Sequence, residues 1–388
     1  MKDARQRALD STAERPKGPL APSEAWEMLA LASSLSPSVR RQLLADLGGP
    51  VALVLALARG GVRSCAPPWE LREWRLRAAS AALQVGKAGG KIIPHGSPGY
   101  SKDLAEIVDP PPVLYVRGDV PSAPGIAIVG SRNCTSYGRR IAFRLATELA
   151  RAGLTVVSGL ARGIDAAAHR GALEGGGPTI AVLPCGIERV YPARHYALAR
   201  RISAQGALLT EFPLHTDVAP WNFPRRNRLI AGLARITVVV EAAARSGARI
   251  TADLAQQSNR EVVVVPGSIT SPTSEGTNAL LGDGAHVCAS WLDVIKHLHP
   301  ELEAAALARH AARDNRQREP LDLPVTERAC LEAIPVSSAC GSEEIAARTG
   351  LAVPALLAAL TSLEVRGLVR SIGGQRYERA EQDNSARP

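Results

Sequence analysis

Residues 125–140 read G-I-A-I-V-G-S-R-N-C-T-S-Y-G-R-R, and residues 154–165 read L-T-V-V-S-G-L-A-R-G-I-D. The run Ile126 to Val129 has the length and β-branched content of a buried strand, and Leu154 to Val157 is a second one. Between them Ile141, Leu145, Leu149 and Ala150 fall at helical spacing. Each strand runs into a glycine-containing turn that carries an arginine: Gly130-Ser131-Arg132 after the first, Gly159 to Gly163 with Arg162 after the second. In a parallel α/β sheet such turns share one edge, where strand carboxyl ends meet helix amino ends and backbone N–H groups attract anions. A dinucleotide site needs glycines at G-x-G-x-x-G spacing. Here no glycine stands between Gly130 and Gly138. Guanidinium forks match phosphate oxygens, so Arg132 and Arg162 are expected to clamp phosphates.

Further strand ends extend the pattern. Residues 220–232, P-W-N-F-P-R-R-N-R-L-I-A-G, follow a strand that ends near Thr210 and Glu211. Pro224 suits the first turn of a helix. Arg225, Arg226 and Arg228 crowd that turn against the helix dipole, an arrangement that an anionic ligand would explain. Trp221 and Phe223 beside them, with Asn227 in the same run, offer base stacking. Ser246 and Gly247 open another helix and can aim N–H groups at a phosphate. Pro266-Gly267-Ser268 and Gly276-Thr277-Asn278 repeat the theme. One or two such turns serve a mononucleotide; a row of them suits an extended phosphate backbone.

The candidate strands are 113–116, 126–129, 154–157, 179–183, 206–210, 236–240, 261–265 and 286–288, with helical stretches between most of them. This alternation implies an α/β class: a Rossmann-like, doubly wound, mostly parallel sheet. On either side lie a small all-α N-terminal domain and a winged-helix-like C-terminal domain. The expected organisation is a disordered leader (1–20), a helical SAM or helix-hairpin-helix-like domain (21–90), the core with its loop-rich entry segment (91–300), a linker (301–323), the winged-helix-like domain (324–380) and a disordered tail (381–388). Helices are expected at Ser23 to Leu31, Ser36 to Leu47 and Val51 to Ala58, then at Thr326 to Ile334, Ser342 to Arg348 and Val353 to Arg366. A Gly-Gly hairpin at 367–377 follows them. The third C-terminal helix carries few basic residues, which weakens a DNA-reading role for it.

The 388 residues carry a formal charge of +9, which favours a polyanionic partner. Aromatics are only 4% of the chain, so base stacking must rest on a few rings. Six cysteines, at 65, 134, 185, 288, 330 and 340, show no C-x-x-C spacing, which fits a reducing cytosol and neither a disulfide framework nor a structural zinc. Histidines are dispersed, so no metal or other cofactor is expected. No apolar run reaches the roughly 18 residues of a membrane span, and the charged amino terminus lacks a signal peptide's apolar stretch. Asp165 and His169 lie one helical turn apart. They could form an acid–base pair, or Asp165 could orient the Arg162 turn.

The motifs I-A-I-V-G-S-R (126–132), S-G-L-A-R-G-I-D-A-A-A-H (158–169), L-P-C-G-I-E-R-V-Y-P (183–192), F-P-R-R-N-R-L-I-A-G-L (223–233), S-G-A-R-I-T-A (246–252), P-G-S (266–268) and G-T-N-A-L-L (276–281) stand in an order that strongly resembles the DNA-processing protein A family, DprA or Smf. The resemblance spans about 110 to 290. It implies a cytoplasmic homodimer that binds single-stranded DNA without sequence preference, protects incoming strands and loads the RecA recombinase during natural transformation. It also implies contacts to DNA from Gly130, Ser131, Arg132, Arg162 and Phe223 to Arg228; the strand-end reading adds Gly159, Gly163, Trp221, Ser246 and Gly247. Many members have S-G-S-L-I-T where this chain has S-G-A-R-I-T, leaving Arg249 as an added contact or a solvated charge. A competing class is a nucleotide-binding hydrolase related to nucleoside-monophosphate phosphoribohydrolases, whose P-G-G-x-G-T-x-x-E motif supplies a catalytic glutamate. The comparable strand end here lacks the paired glycines and that glutamate, and Glu241 and Asp253 stand as isolated carboxylates. The chain is therefore expected not to be an enzyme.

Overall fold

The strand runs read from the sequence at the centre of the sheet are buried along their whole length, as strands covered on both faces must be: Gly125–Val129 at all five positions and Ile236–Val239 at all four. A computed structural model describes residues 19–31, 35, 37–60, 71–317, 323–335 and 339–379. The expected leader up to residue 18, Cys65, residues 318–322 of the expected linker and the tail lie outside the described residues. The chain divides into Met1–Arg313 and Asp314–Pro388.

Through the first unit the order is α1 (Pro22–Leu31), α2 (Pro37–Leu47), α3 (Pro50–Ala58), α4 (Leu71–Lys87), β1 (Lys91–Pro94), α5 (Lys102–Ala105), β2 (Val113–Gly118), β3 (Gly125–Val129), α6 (Ser136–Arg151), β4 (Thr155–Ser158), α7 (Ile164–Glu174), β5 (Thr179–Val182), α8 (Tyr196–Gln205), β6 (Ala207–Thr210), α9 (Asn222–Gly232), β7 (Ile236–Val239), α10 (Gly247–Gln257), β8 (Glu261–Val264), α11 (Glu275–Gly282), β9 (His286–Val287), α12 (Trp291–Ile295) and α13 (Pro300–Gln317), whose last four residues fall past the division. The nine strands pair in the order β1-β2-β6-β5-β4-β3-β7-β8-β9. From β6 to β9 all pairs are parallel, while β1–β2 and β2–β6 are antiparallel.

The sheet is a Rossmann-like doubly wound one. The chain winds outward from β3 to β6, then returns to β7 on the other side of β3. The β3–β7 seam is thus the topological switch point, where such sheets open a crevice at their carboxyl edge. Alternation along the strands sorts the core. Ile126 and Ile128 face α6 and α7, while Ala127 and Val129 face α9 and α10. A third cluster joins α7 and α8 to β5 and β6 and takes in Val85 of α4.

Three parts of this unit differ from the sequence expectation. Lys91 to Pro94, read as loop, is a strand, because a Pro at the end of an edge strand costs no ladder bond. Leu71 to Lys87, not singled out as a helix, is one, and its Val85 side chain anchors it to the sheet. Ser23, read as an N-cap, lies inside the first turn of α1. The N-terminal helices pack on the core through an Arg40–Asp109 ion pair at 3.0 Å and an Arg41 hydrogen bond to the Val108 carbonyl at 2.6 Å.

The second unit contains α14 (Val325–Ala333), β10 (Cys340–Gly341), α15 (Ser342–Thr349), α16 (Val353–Val365), β11 (Val369–Ser371) and β12 (Arg376–Arg379). Its sheet runs β10-β12-β11 and its core gathers Cys330, Ile345, Leu356, Leu360 and Leu363. Three helices closed by a small sheet make it a winged helix.

Candidate nucleic-acid interface

At the switch point the amides that an anion could use are largely taken by the protein's own carboxylates. Glu241, just past β7, accepts from the Thr135 N–H at 2.9 Å and the Thr135 hydroxyl at 2.5 Å, which places a fixed negative charge at the amino end of α6. Asp165 accepts from the N–H groups of Gly159 at 3.1 Å and Ala161 at 3.3 Å, filling the turn after β4. Leu160 in that turn holds φ +57, a strained conformation kept by the carboxylate on either side and by full burial of the side chain. Of the two sequence readings for Asp165, the orienting one holds. His169 points elsewhere: its Nδ1 meets Thr179 Oγ1 at 2.8 Å. That hydroxyl already donates to the Val156 carbonyl at 2.7 Å, so Nδ1 carries the proton, and Nε2 is buried without a partner. Burial, with His195 and Arg226 nearby, pushes the imidazole down to about 3.

The arginines of α9 divide. Arg226 is 3% exposed. Its Nη1 donates to the carbonyls of Gly159 at 2.5 Å and Val182 at 2.6 Å, and its Nε donates to Asn227 Oδ1 at 3.1 Å. Burial lowers its pKa to about 10, against the pull of Asp165. Burial also raises Asp165, and Arg226 draws it back. Arg228 is turned onto Glu211 and Asp109. Glu211 is raised by burial, with Arg228 and Arg225 opposing. The crowded first turn of α9 thus has internal counter-charges: contrary to the sequence expectation Arg228 is turned onto Glu211 and Asp109, and Arg226, though it borders a cleft at the switch point, spends its donors on protein carbonyls. Arg226 is a brace that ties the ends of β4 and β5 together. Gly159 is small for that reason, since a Cβ there would collide with the Arg226 guanidinium.

The outward set is Arg132, Arg162, Arg194 and Arg225. Arg132 lies on the Phe223 ring at 4.6 Å, and Tyr191 meets the same ring edge-on at 5.9 Å. Arg225 covers Phe212 at 5.0 Å and is 3.7 Å from Glu211. Arg162 and Arg194 are exposed and have no partner among the described residues. Trp221 is 71% exposed.

The Arg132–Phe223 stack separates two clefts. One, of about 300 Å³, is lined by Arg132, Arg162, Arg194, Tyr191 and Phe223. The other, of about 270 Å³, lies on the switch point and is lined by Gly130, Ser131, Asn227, Ser246 and Gly247. Ser246 Oγ is buried there without a hydrogen-bond partner, and a Cβ on Gly247 would meet nothing within 4 Å. The amino end of α10 therefore stays open, unlike that of α6.

Gly130 and Gly163 serve packing. A Cβ on Gly130 would press on Ile164 and the Glu241 carbonyl; Gly163, at φ +78, sits against the Ser131 and Arg132 carbonyls. Ser131 is tied down by its N–H, which donates to the Glu241 carbonyl at 2.7 Å. Arg249 faces Asp283 at 3.7 Å. Tyr191 and Arg194 were missed as site residues, although Tyr191 stood in the L-P-C-G-I-E-R-V-Y-P stretch. No local pattern shows that this loop folds over Phe223. The dispersed histidines concealed a grouping too: Glu261, His286 and His297 bring ligand atoms within 4.8 Å of one another near the β9 edge. Among the described residues no single helix is long and apolar enough to cross a membrane.

Residues 91–299 match the family described as DNA recombination-mediator protein A, and residues 315–375 match the DprA winged helix domain. Protein Smf of Escherichia coli strain K12 is 37% identical over 289 residues, covering 73% of this chain and 76% of that protein. The DNA processing protein DprA of Bacillus subtilis is 35% identical, covering 62% of this chain and 82% of its own length. Among solved structures, DNA processing protein A from Streptococcus pneumoniae matches with a TM-score of 0.63 at 32% identity, over 72% of this chain and 98% of that one. The chain belongs to the DNA recombination-mediator protein A family.

Proposed function

We propose that this member of the family binds single-stranded DNA, without sequence preference, along the carboxyl edge of its large sheet, and that in this way it handles incoming strands for recombination. The observation that carries the reading is the Arg132–Phe223 stack between two clefts, with Arg162 and Arg194 unspent beside it. A guanidinium on a ring offers a base a face to stack on and a phosphate a fork to bind. The open amino end of α10 supplies a further anion seat. Exposed Trp221 extends the stacking surface. Arg226, Arg228, Asn227, Gly130, Gly159 and Gly163 hold this edge in shape.

No catalytic step is assigned. Asp165 is spent on two amides, His169 on a threonine, and Glu241 on the α6 cap. The remaining parts of the reading come from the family resemblance: protection of the strand, loading of a RecA-type recombinase during transformation, a homodimer, and residence in the cytoplasm. Fluorescence anisotropy with oligothymidylates of graded length, against duplex of equal length, tests the central claim. Single strands should win, and the log–log salt slope should be about −0.7 per phosphate engaged. Equal affinity for duplex would reject it.

A further inference from the structure

We infer that a single strand bound at the strand-end clefts continues over the lip of the sheet onto the outer face of α6, α7 and α8, where arginines and exposed rings form a second segment of the same track. The inference rests on the reading above and adds a place and a direction to it.

Three observations point there. First, exposed rings are scarce and localised. Among the described residues the large exposed aromatics are Tyr137, Phe143, Tyr191, Tyr196 and Trp221. Tyr191 and Trp221 stand at the clefts. Tyr137 is in the first turn of α6, Phe143 two turns on, and Tyr196 opens α8. Leaving rings in water gains nothing for folding; a stacking partner gives them a use.

Second, most of the charge on this face is unspent, Arg151 and Arg189 being the ones held by carboxylates. Residues 136–205 hold ten arginines against four carboxylates, and of the four only Glu174 is exposed. Arg140, Arg144 and Arg170 are exposed and have no ion-pair, hydrogen-bond or ring partner among the described residues. Elsewhere in this unit arginines such as Arg40, Arg228 and Arg260 are held by carboxylates. A surface kept only for solvation would mix both signs.

Third, the helices bring these groups together. All three begin near the carboxyl edge, so their first turns form the lip. His195 Nδ1 meets the Leu160 carbonyl at 2.8 Å, which pins the start of α8, and with it Tyr196, to the turn after β4. Arg140 and Arg144 are one turn apart, about 6 Å along the axis. α6 and α7 cross so closely that a Cβ on Gly171 would strike the Phe143 carbonyl. Arg144 and Arg170, each adjacent in sequence to that contact, therefore flank the crossing.

The test compares the full-length protein with the variant Arg140→Ala/Arg144→Ala/Arg170→Ala on an oligothymidylate of about six nucleotides, which fills the strand-end clefts alone, and one of about 24 nucleotides. The short strand should bind both proteins within about twofold. The long strand should lose roughly tenfold on the variant, with a salt slope shallower by about two units for three phosphates released. A second variant, Tyr137→Ala/Tyr196→Ala, should weaken the long strand and leave its salt slope unchanged, and an abasic long strand should bind it as well as it binds wild type. The inference is overturned if the triple variant keeps full affinity for the long strand, or if short and long strands weaken equally. It is also overturned if only a duplex of the same length is lost. The underlying reading fails separately, by Arg132→Ala leaving the short strand's affinity unaltered.

Discussion

The carboxyl edge of the large sheet and the third helix of the winged-helix unit, α16, are the two places in this chain where nucleic-acid binding would be sought, and they are furnished in opposite ways. The edge carries Arg132, Arg162 and Arg194 in the open, with Phe223 and Tyr191 between them. α16 has no Lys or Arg between Val353 and Val365, and its exposed side chains include Val353, Leu357 and Val365. The charges of the two units diverge likewise. Residues 314–388 hold nine arginines and no lysine against eleven carboxylates, so the positive excess of the chain lies wholly in residues 1–313. Shared outline does not carry shared chemistry: a helix-turn-helix relative with no cation on its third helix lacks there the electrostatic term that dominates DNA affinity.

The largest expected effect tests the layer under the edge. Arg226→Ala would leave the Gly159 and Val182 carbonyls without their donor and Asp165 without its counter-charge. The expected cost to the first unit is about 3 kcal/mol or more, read as a lower urea midpoint, together with loss of single-strand binding. A variant that keeps stability but loses binding would make Arg226 a ligand contact instead of a brace. Next come the outward arginines. Arg132→Ala and Arg162→Ala should each weaken single-strand binding by roughly 1–3 kcal/mol, nearly uniformly across sequences and with a shallower salt slope. Their melting temperatures should stay near wild type, because neither is buried. An arginine whose loss lowers stability and spares affinity belongs with Arg226.

The contrast between inward and outward arginines shows how far the sequence could be read. Strands and helices of the core were legible because most buried strands are short apolar runs rich in β-branched residues and several of the turns after them carry glycine. The edge was legible as a place, since Gly130, Gly159 and Ser246 recur at strand ends. The division of labour was not. Arg225, Arg226 and Arg228 look alike in F-P-R-R-N-R, and only the 3.6-residue winding of α9 sends Arg226 beneath the β4–β5 ends and Arg228 onto Glu211. Glu241, which fills the amino end of α6, and Asp165, which fills the turn after β4, are single carboxylates whose targets lie across the fold or a turn away. β1 was hidden by Pro94, whose position at an edge removes the usual objection to proline in a strand.

A smaller effect separates the units by pH. All eight histidines lie in the first unit and none in residues 314–388. His169 is held near 3 in the folded state, well below its usual value near 6.5. Below about 6.5 the unfolded chain takes up a proton that the folded one refuses, so stability falls as pH drops, by up to ~1.4 kcal/mol per unit. Asp165 and Glu211, raised by burial, act in the other direction, losing stability as pH rises. His169→Gln isolates the histidine: between pH 6.5 and 5 its stability should fall less steeply than that of wild type. Parallel slopes would place the titration elsewhere.

The smallest effect is the one that bears most directly on α16. Removing the residues after Gln317 takes away the winged helix and leaves all the clustered core of the first unit. The hydrophobic core clusters under the sheet contain no residue beyond Ala306, so the truncated chain keeps all of those clusters. The removed part has no cation on the helix that would enter a groove, and its net charge is negative. Counterion release therefore has no source on that helix. Affinity of the truncated protein for a long oligothymidylate should stay within about twofold of the full chain, with the salt slope unchanged; an increase within that range fits the loss of negative charge. A drop of tenfold or more, with a shallower salt slope, would mean that Arg366 at the end of α16, or Arg370 or Arg376 on the wing, reaches phosphate, and the contrast between the two regions would then be one of degree.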